Sequence, residues 1–369
     1  MGLGHPTLAH LVSTALQAAT WQGRQVLVTG HTGFKGTWLC LALRALGAEV
    51  HGLSLPAEPL SAFELVGLRA RLASHHEADL RDLPAVRAAL SGRRPSIVFH
   101  LAAQAIVSRG YTDPVGTFDT NVGGTLNLLE ALRGKPGLQA VLVATTDKVY
   151  RNDETGEAFN EDAPLGGHDP YSASKAACEI AVASYRQSFG NELPPLVTLR
   201  AGNVIGGGDF GLDRLVPDLV RALVADRELV VRDPEATRPF QHVLDVVHGY
   251  LLFAQALIEG QPGLPAALNF GPREAGISVR QLLDGWARAS GQPLPWRHEG
   301  STLVERHRLA LDSARARSLL GWEPALRGDN AVASTAAWYE AWRTQQDMAA
   351  YSNDVLATAL RGWLAGRAA

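Results

Sequence analysis

Residues 25–46 constrain this chain most. Gln25-Val26-Leu27-Val28-Thr29 is a short apolar run rich in β-branched residues. A turn from Gly30 to Gly36 carries Gly30, Gly33 and Gly36, and Trp38 to Leu46 then reads as a helix. Strand, Gly-rich turn and helix in that order open a parallel α/β sheet. The helix start presents free N–H groups and a positive dipole end to an anion. Glycines also let the backbone approach a pyrophosphate closely. A Gly-rich turn alone says little, but at the head of an α/β pattern it predicts a dinucleotide site.

The alternation continues. Glu49 to Leu53, Ser96 to Leu101, Ala140 to Thr145 and Leu196 to Ala201 read as strands. Val115 to Leu132, Tyr171 to Phe189 and Val243 to Ile258 read as helices. The expected fold class is therefore α/β: a Rossmann-type, doubly wound parallel sheet with a smaller, discontinuous α/β substrate-binding domain. The dinucleotide part is assigned to residues 21–201 plus 240–270, and the second part to 202–239 plus 271–343. Residues 1–20 are read as an extension and 344–369 as a tail. Ligands of such sheets bind beyond the carboxyl ends of the strands.

Composition excludes several alternatives. The 369 residues are 46% hydrophobic and 19% charged, which suits a soluble enzyme with a substantial core. The formal net charge is -3 without a block of one sign, so no nucleic-acid partner is expected. No apolar run is long enough for a membrane span. Leu8, Leu11, Val12 and Leu16 can share a helix face, but no Lys or Arg precedes them as in a secretion signal. A cytoplasmic location is expected. Cys40 and Cys178 read as buried thiols, and no His/Cys spacing suggests a metal.

The chemistry concentrates at the end of the Ala140–Thr145 run, in Thr146-Asp147-Lys148, and in Tyr171 and Lys175. Tyr171 and Lys175 are four apart and share a helix face. An ammonium near the phenol lowers its pKa, so Tyr171 can accept a hydroxyl proton while a hydride leaves the same carbon. Thr146 can bond that hydroxyl, and Lys175 can hold a nicotinamide ribose. Oxidation acidifies the neighbouring C–H. Lys148, if neutral, can then act as base, and a protonated Asp147 can expel a hydroxyl one carbon further on as water. Taken alone, the two read rather as a solvated acid–base pair at a strand end. Ser54, ending the second strand, either bonds a ribose hydroxyl or caps a turn. Asp79 either accepts from an adenine amine or sits at a helix start. No carboxylate ends the second strand, so NAD is favoured with NADP left open.

These residues resemble the extended short-chain dehydrogenase/reductase family, in particular its nucleotide-sugar 4,6-dehydratases and among them the branch acting on CDP-glucose. Four stretches carry the resemblance: Trp21-Gln22-Gly23 with Val28 to Gly36; Thr146-Asp147-Lys148; Arg200 to Asp209; and Arg238-Pro239-Phe240-Gln241-His242-Val243. Dehydratases acting on dTDP-glucose carry Asp-Glu where this chain has Asp147-Lys148. The resemblance implies a hydro-lyase converting CDP-glucose or a related nucleotide sugar to a 4-keto-6-deoxy product. Thr146, Asp147, Lys148, Tyr171 and Lys175 would be catalytic. Gly30, Thr32, Gly33, Phe34, Gly36, Ser54, Asp79, Leu80, Leu101, Ala102, Ala103, Gln104 and Thr145, with Tyr171 and Lys175, would contact NAD. Asn203, Arg214, Leu215, Arg238, His242, Asn269 and Arg308 would contact the nucleotide sugar. Arg238 suits the pyrophosphate, since a guanidinium is a fixed charge with paired donors. Arg306 and Arg308 reach the phosphates or are surface residues. Asn121 is expected to support the active-site backbone, and His100 and His242 are read as structural, or as supporting the residues that touch ligand, rather than as metal ligands. Val115 to Leu132 and Tyr171 to Phe189 resemble the helices that pair such chains as a homodimer or dimer of dimers.

Overall fold

The computed structural model describes residues 15–153, 155–273, 276–300 and 309–366. Seven strands form one sheet. In spatial order they are Ala267–Phe270, Leu196–Ala201, Ala140–Ala144, Ile97–His100, Gln25–Thr29, Glu49–Ser54 and Ser74–Glu77. Every neighbouring pair is parallel. The central strands are buried on both faces, which is why Ala140–Ala144 reads as an unbroken apolar run rather than an alternating one. Chain order reverses between Gln25–Thr29 and Ile97–His100, and this opens a crevice at their carboxyl ends.

One strand is not read from the sequence, and one expected helix carries a π turn. The Ser74–Glu77 strand carries none of the usual strand formers; it exists through pairing with Glu49–Ser54. The expected helix Val115 to Leu132 is not continuous. Pro114–Phe118 and Gly124–Leu132 are α-helical, and Asp119–Gly123 between them is a π turn. Such bulges mark places where a helix side chain is re-aimed. Here that residue is buried Asn121.

The end of the chain is part of the core. In helix Met348–Leu364, Met348, Leu356 and Trp363 are buried, and Trp363 stacks on His248 with centroids 4.8 Å apart. The Leu16 amide donates to the Trp363 carbonyl at 3.1 Å, and the Gln17 amide donates to Gln255 Oε1 at 2.7 Å. Leu16–Gln17 and helix Met348–Leu364 thus both pack on helix Val243–Ile258. Leu8, Leu11 and Val12 lie outside the described residues. Among the described residues no helix is long and apolar enough to cross a membrane.

Three small strand pairs build the second region. Val204–Ile205 pairs with Gln241–His242, Thr237–Arg238 with Ile277–Ser278, and Leu229–Val231 with Trp296–His298.

Candidate active site

A cavity of about 800 Å³ lies where the small strand pairs meet the ends of the main sheet. Phe34, Thr145, Thr146, Asp147, Lys148 and Tyr171 line it from the sheet side. Asn203, Arg214, Leu215 and Arg238 line it from the second region. Residues far apart in sequence thus share one chamber.

The turn at its head fits a pyrophosphate. Gly30 has φ +71°, and a Cβ there would fall 2.5 Å from the Ala102 nitrogen. At Gly36 a Cβ would meet the Gly30 carbonyl oxygen at 2.1 Å. Gly33 starts helix Phe34–Ala45 with no side chain capping it, so backbone N–H groups stay available to an anion. The Gly30 contact brings the Leu101-Ala102-Ala103 backbone alongside the turn. Thr32 and Ser54 share a hydrogen bond of 2.7 Å, and Thr32 also donates to the Leu55 carbonyl. Asp79 is engaged by Arg81, whose guanidinium holds the carboxyl below its usual range. It does not cap the next helix; Asp82 does, accepting from the Ala85 amide. Asn127 fixes this turn by donating to the Leu80 and Arg81 carbonyls.

Asn121 joins the cofactor side to the catalytic helix. Its side chain accepts from the Gln104 amide at 2.8 Å and donates to the Gln104 carbonyl and to Ser174 Oγ. Ser174 in turn donates to the Tyr171 carbonyl at 2.7 Å. Asp169 caps helix Pro170–Ser188 by accepting from the Ser172 amide, which sets Tyr171 in the first turn and Lys175 one turn on.

Burial dominates the electrostatics. It holds Asp147 above the usual carboxylate range, against the opposing pull of Lys148 and a Thr146 hydrogen bond. Asp147 Oδ1 accepts from Thr146 Oγ1 at 2.9 Å, while buried Oδ2 has no protein partner. Burial therefore favours the protonated form of this carboxyl over the ionised one. The expectation for Tyr171 is reversed: burial pushes its phenol up to about 12, with Thr146 and Arg214 lowering it and Asp147 raising it. Lys175 turns its ammonium to the Ala144 carbonyl at 3.1 Å, and burial lowers its own pKa.

Two assigned residues are placed elsewhere than expected. Asn269 is absent from the cavity wall, since it accepts from the Tyr150 hydroxyl and donates to the Phe159 and Asp312 carbonyls. His242 caps helix Val243–Ile258 from behind the wall, and burial lowers its pKa to about 3. Thr145 lines the chamber but gives its hydroxyl to Glu179. Arg306 and Arg308 lie outside the described residues. His100 is buried between Thr29 and Thr125. Among the lining residues to which the sequence reading gave no role is Lys35, inside the Gly-rich turn. Burial, then the charges of Lys175 and Arg214, lower its pKa to about 8. A lysine among those glycines was the available signal.

Fold and site define the class of extended short-chain dehydrogenases and reductases, in which a dinucleotide turn and a Tyr–Lys helix face one sugar-sized chamber. The chain belongs to the NAD dependent epimerase/dehydratase family, whose model matches residues 26–269. It is 40% identical to the CDP-glucose 4,6-dehydratase of Salmonella typhimurium, with 89% of this chain and 94% of that protein covered. It is 30% identical to the dTDP-glucose 4,6-dehydratase of Xanthomonas campestris, with 87% and 93% covered. Among solved structures, the UDP-glucose 4-epimerase of Thermus thermophilus in complex with NAD superposes with a TM-score of 0.75 at 29% identity, covering 86% of this chain and 99% of that one.

Proposed function

We propose that this nucleotide-sugar 4,6-dehydratase acts on CDP-glucose and releases CDP-4-keto-6-deoxyglucose. One observation carries the reading: Tyr171, Asp147 and Lys148 line the same chamber as Arg214 and Arg238. An epimerase needs the Tyr171–Lys175 pair but has no use for the acid and base beside it. The 40% identity to a CDP-glucose 4,6-dehydratase supports the choice of nucleotide.

NAD, when bound on the Gly30–Gly36 turn, supplies a hydride acceptor that later serves as donor, so net turnover consumes none. Tyr171, whose phenolate the positive charge of a bound nicotinamide would favour against burial, takes the C4 hydroxyl proton, with Thr146 bonding the same hydroxyl. The ketone at C4 acidifies C5, and Lys148 removes that proton. Asp147, whose protonated form burial favours, gives its proton to the C6 hydroxyl, which leaves as water. Hydride returns to C6 and a proton to C5. Arg238 and Arg214 hold the pyrophosphate, and Asn203 and Leu215 border the sugar and nucleoside. We place the reaction in the cytoplasm. The chains pair through helices Pro114–Phe118 and Pro170–Ser188, where Val115 and Ile180 are 70% and 62% exposed.

Incubation with CDP-glucose and catalytic NAD, followed by mass spectrometry, tests the proposal. Loss of one water from CDP-glucose, and not from dTDP-, UDP- or GDP-sugars run in parallel, is expected. Dehydration of another nucleotide sugar alone would overturn the choice of CDP. No dehydration of any sugar would overturn the reaction.

A further inference from the structure

We infer that the buried Glu179–Arg200 pair is a positioning device for the acid and base, gripping the short segment that carries them at both of its ends. The inference rests on the dehydratase reading above. Asp147 and Lys148 sit in a single 3-10 turn, Asp147–Val149, capped by Thr146, with Thr145 just before it and Tyr150 just after. On one flank, Thr145 Oγ1 donates to Glu179 Oε1 at 2.5 Å. On the other, Arg200 Nη1 donates to the Tyr150 hydroxyl at 2.9 Å. Glu179 and Arg200 are themselves locked together, Nε to Oε1 at 3.0 Å and Nη2 to Oε2 at 2.8 Å. Their side chains are only 4% and 6% exposed.

An ion pair this deep persists only when its remaining valences are filled. They are filled from three elements. Thr198 donates to Glu179 Oε2, and Arg200 Nη1 also donates to the Glu161 carbonyl. The Tyr150 hydroxyl passes the chain on to Asn269 Oδ1, which explains why Asn269 faces away from the chamber. Glu179 sits one turn beyond Lys175 on the Tyr171 helix, while Arg200 lies on the neighbouring strand. The pair therefore references the acid–base turn to the very helix that carries the oxidising residues. Three of the pair's four contacts to other groups, those with Thr145, Tyr150 and Thr198, are to hydroxyls, and the fourth is to the Glu161 carbonyl. Reacting groups displaced by about 1 Å can lose roughly a hundredfold in rate.

Thr145→Val and Tyr150→Phe each release one grip and leave the ion pair intact. Glu179 keeps Arg200 and Thr198, and Arg200 keeps Glu179 and the Glu161 carbonyl. Each variant is expected to lower kcat about 10- to 100-fold with KM for the nucleotide sugar little changed. Reduced nicotinamide is expected to accumulate during turnover, since oxidation at Tyr171 continues while elimination slows. Thr145→Ser, which keeps the hydroxyl, is expected to restore kcat and abolish the accumulation. Thermal melting of each variant is recorded alongside. Active parent protein with both variants equally active would overturn the positioning role. So would a kcat loss without accumulated reduced nicotinamide, or one that Thr145→Ser fails to rescue. Failure of the parent protein to dehydrate any nucleotide sugar would overturn the dehydratase reading, and the inference with it.

Discussion

Gly30 lies against the backbone of Ala102 so closely that a Cβ at Gly30 would fall 2.5 Å from the Ala102 nitrogen and 2.7 Å from its Cα. This contact sits where the sheet order reverses, and it joins the phosphate turn to the strand-end backbone beside it. Gly30→Ala must push the two apart and also hold a side chain at φ +71°, a conformation that costs an L-residue about 1–2 kcal/mol. Loss of NAD binding is expected, with a lowered melting temperature. Isothermal titration with NAD would show it; an unchanged affinity would contradict the assigned role of the turn.

The oxidising and eliminating groups stand on different elements and are separable. Tyr171→Phe is expected to abolish oxidation, lowering turnover about 100- to 10,000-fold. Lys148→Ala is expected to leave oxidation at C4 intact and stop elimination, so reduced nicotinamide builds up with no loss of water. Stopped-flow absorbance beside product mass spectrometry distinguishes the two. Normal dehydration by the Lys148 variant would remove it as base.

Asn121 satisfies both backbone groups of Gln104 and also reaches Ser174. Asn121→Ala strands these buried groups at a cost of about 1–3 kcal/mol for an unmet hydrogen-bonding group. Urea denaturation is expected to show that loss, and turnover is expected to fall as the Tyr171 helix loses its tie to the cofactor side.

Acid should unfold this protein early. Burial lowers His31 to about 4, and His100, His242 and His248 to about 3, from an ordinary 6.5. Their folded forms stay neutral while the unfolded chain takes up protons below 6.5. The stability they contribute is present above pH 6.5 and is lost as pH falls toward 3. Asp245 opposes them, because burial raises it to about 7; its contribution is present below 3.8 and lost as pH rises through 7. Asp147 and Glu161, also raised by burial, oppose in the same sense. Glu77, Asp79 and Asp162, lowered by hydrogen bonds from His75, Arg81 and Arg315, act with the four histidines, and the balance leaves acid destabilising. Urea midpoints at several values between neutral pH and the acid range should fall steadily; a flat series would contradict the burial of these rings.

The C-terminal helix is expected to be indispensable. Trp363 is 1% exposed and stacks on His248, so Trp363→Ala should cost about 3–5 kcal/mol. Removal of residues from 344 onward should leave insoluble chain. A soluble, active truncation would show that this contact is dispensable.

Local signals carried much of this molecule. The strand–turn–helix at 25–46 and the apolar strands could be read because parallel strands buried on both faces need unbroken apolar runs. Tyr171 and Lys175 were legible because helix geometry alone places residues four apart on one face. Packing decided the rest. Ser74–Glu77 became a strand through its neighbour, and Asn121 broke a helix pattern to reach Gln104. Asn269 and His242, read beside the substrate, spend their polar groups behind the wall. Tyr171 titrates high because burial outweighs its neighbours. The Glu179–Arg200 pair left no mark in the pattern, because residues 21 apart meet only when a helix docks on its sheet. Sequence spacing specifies which residues share an element; desolvation and contacts between elements, which decide what each side chain finally touches, exist only in the folded chain.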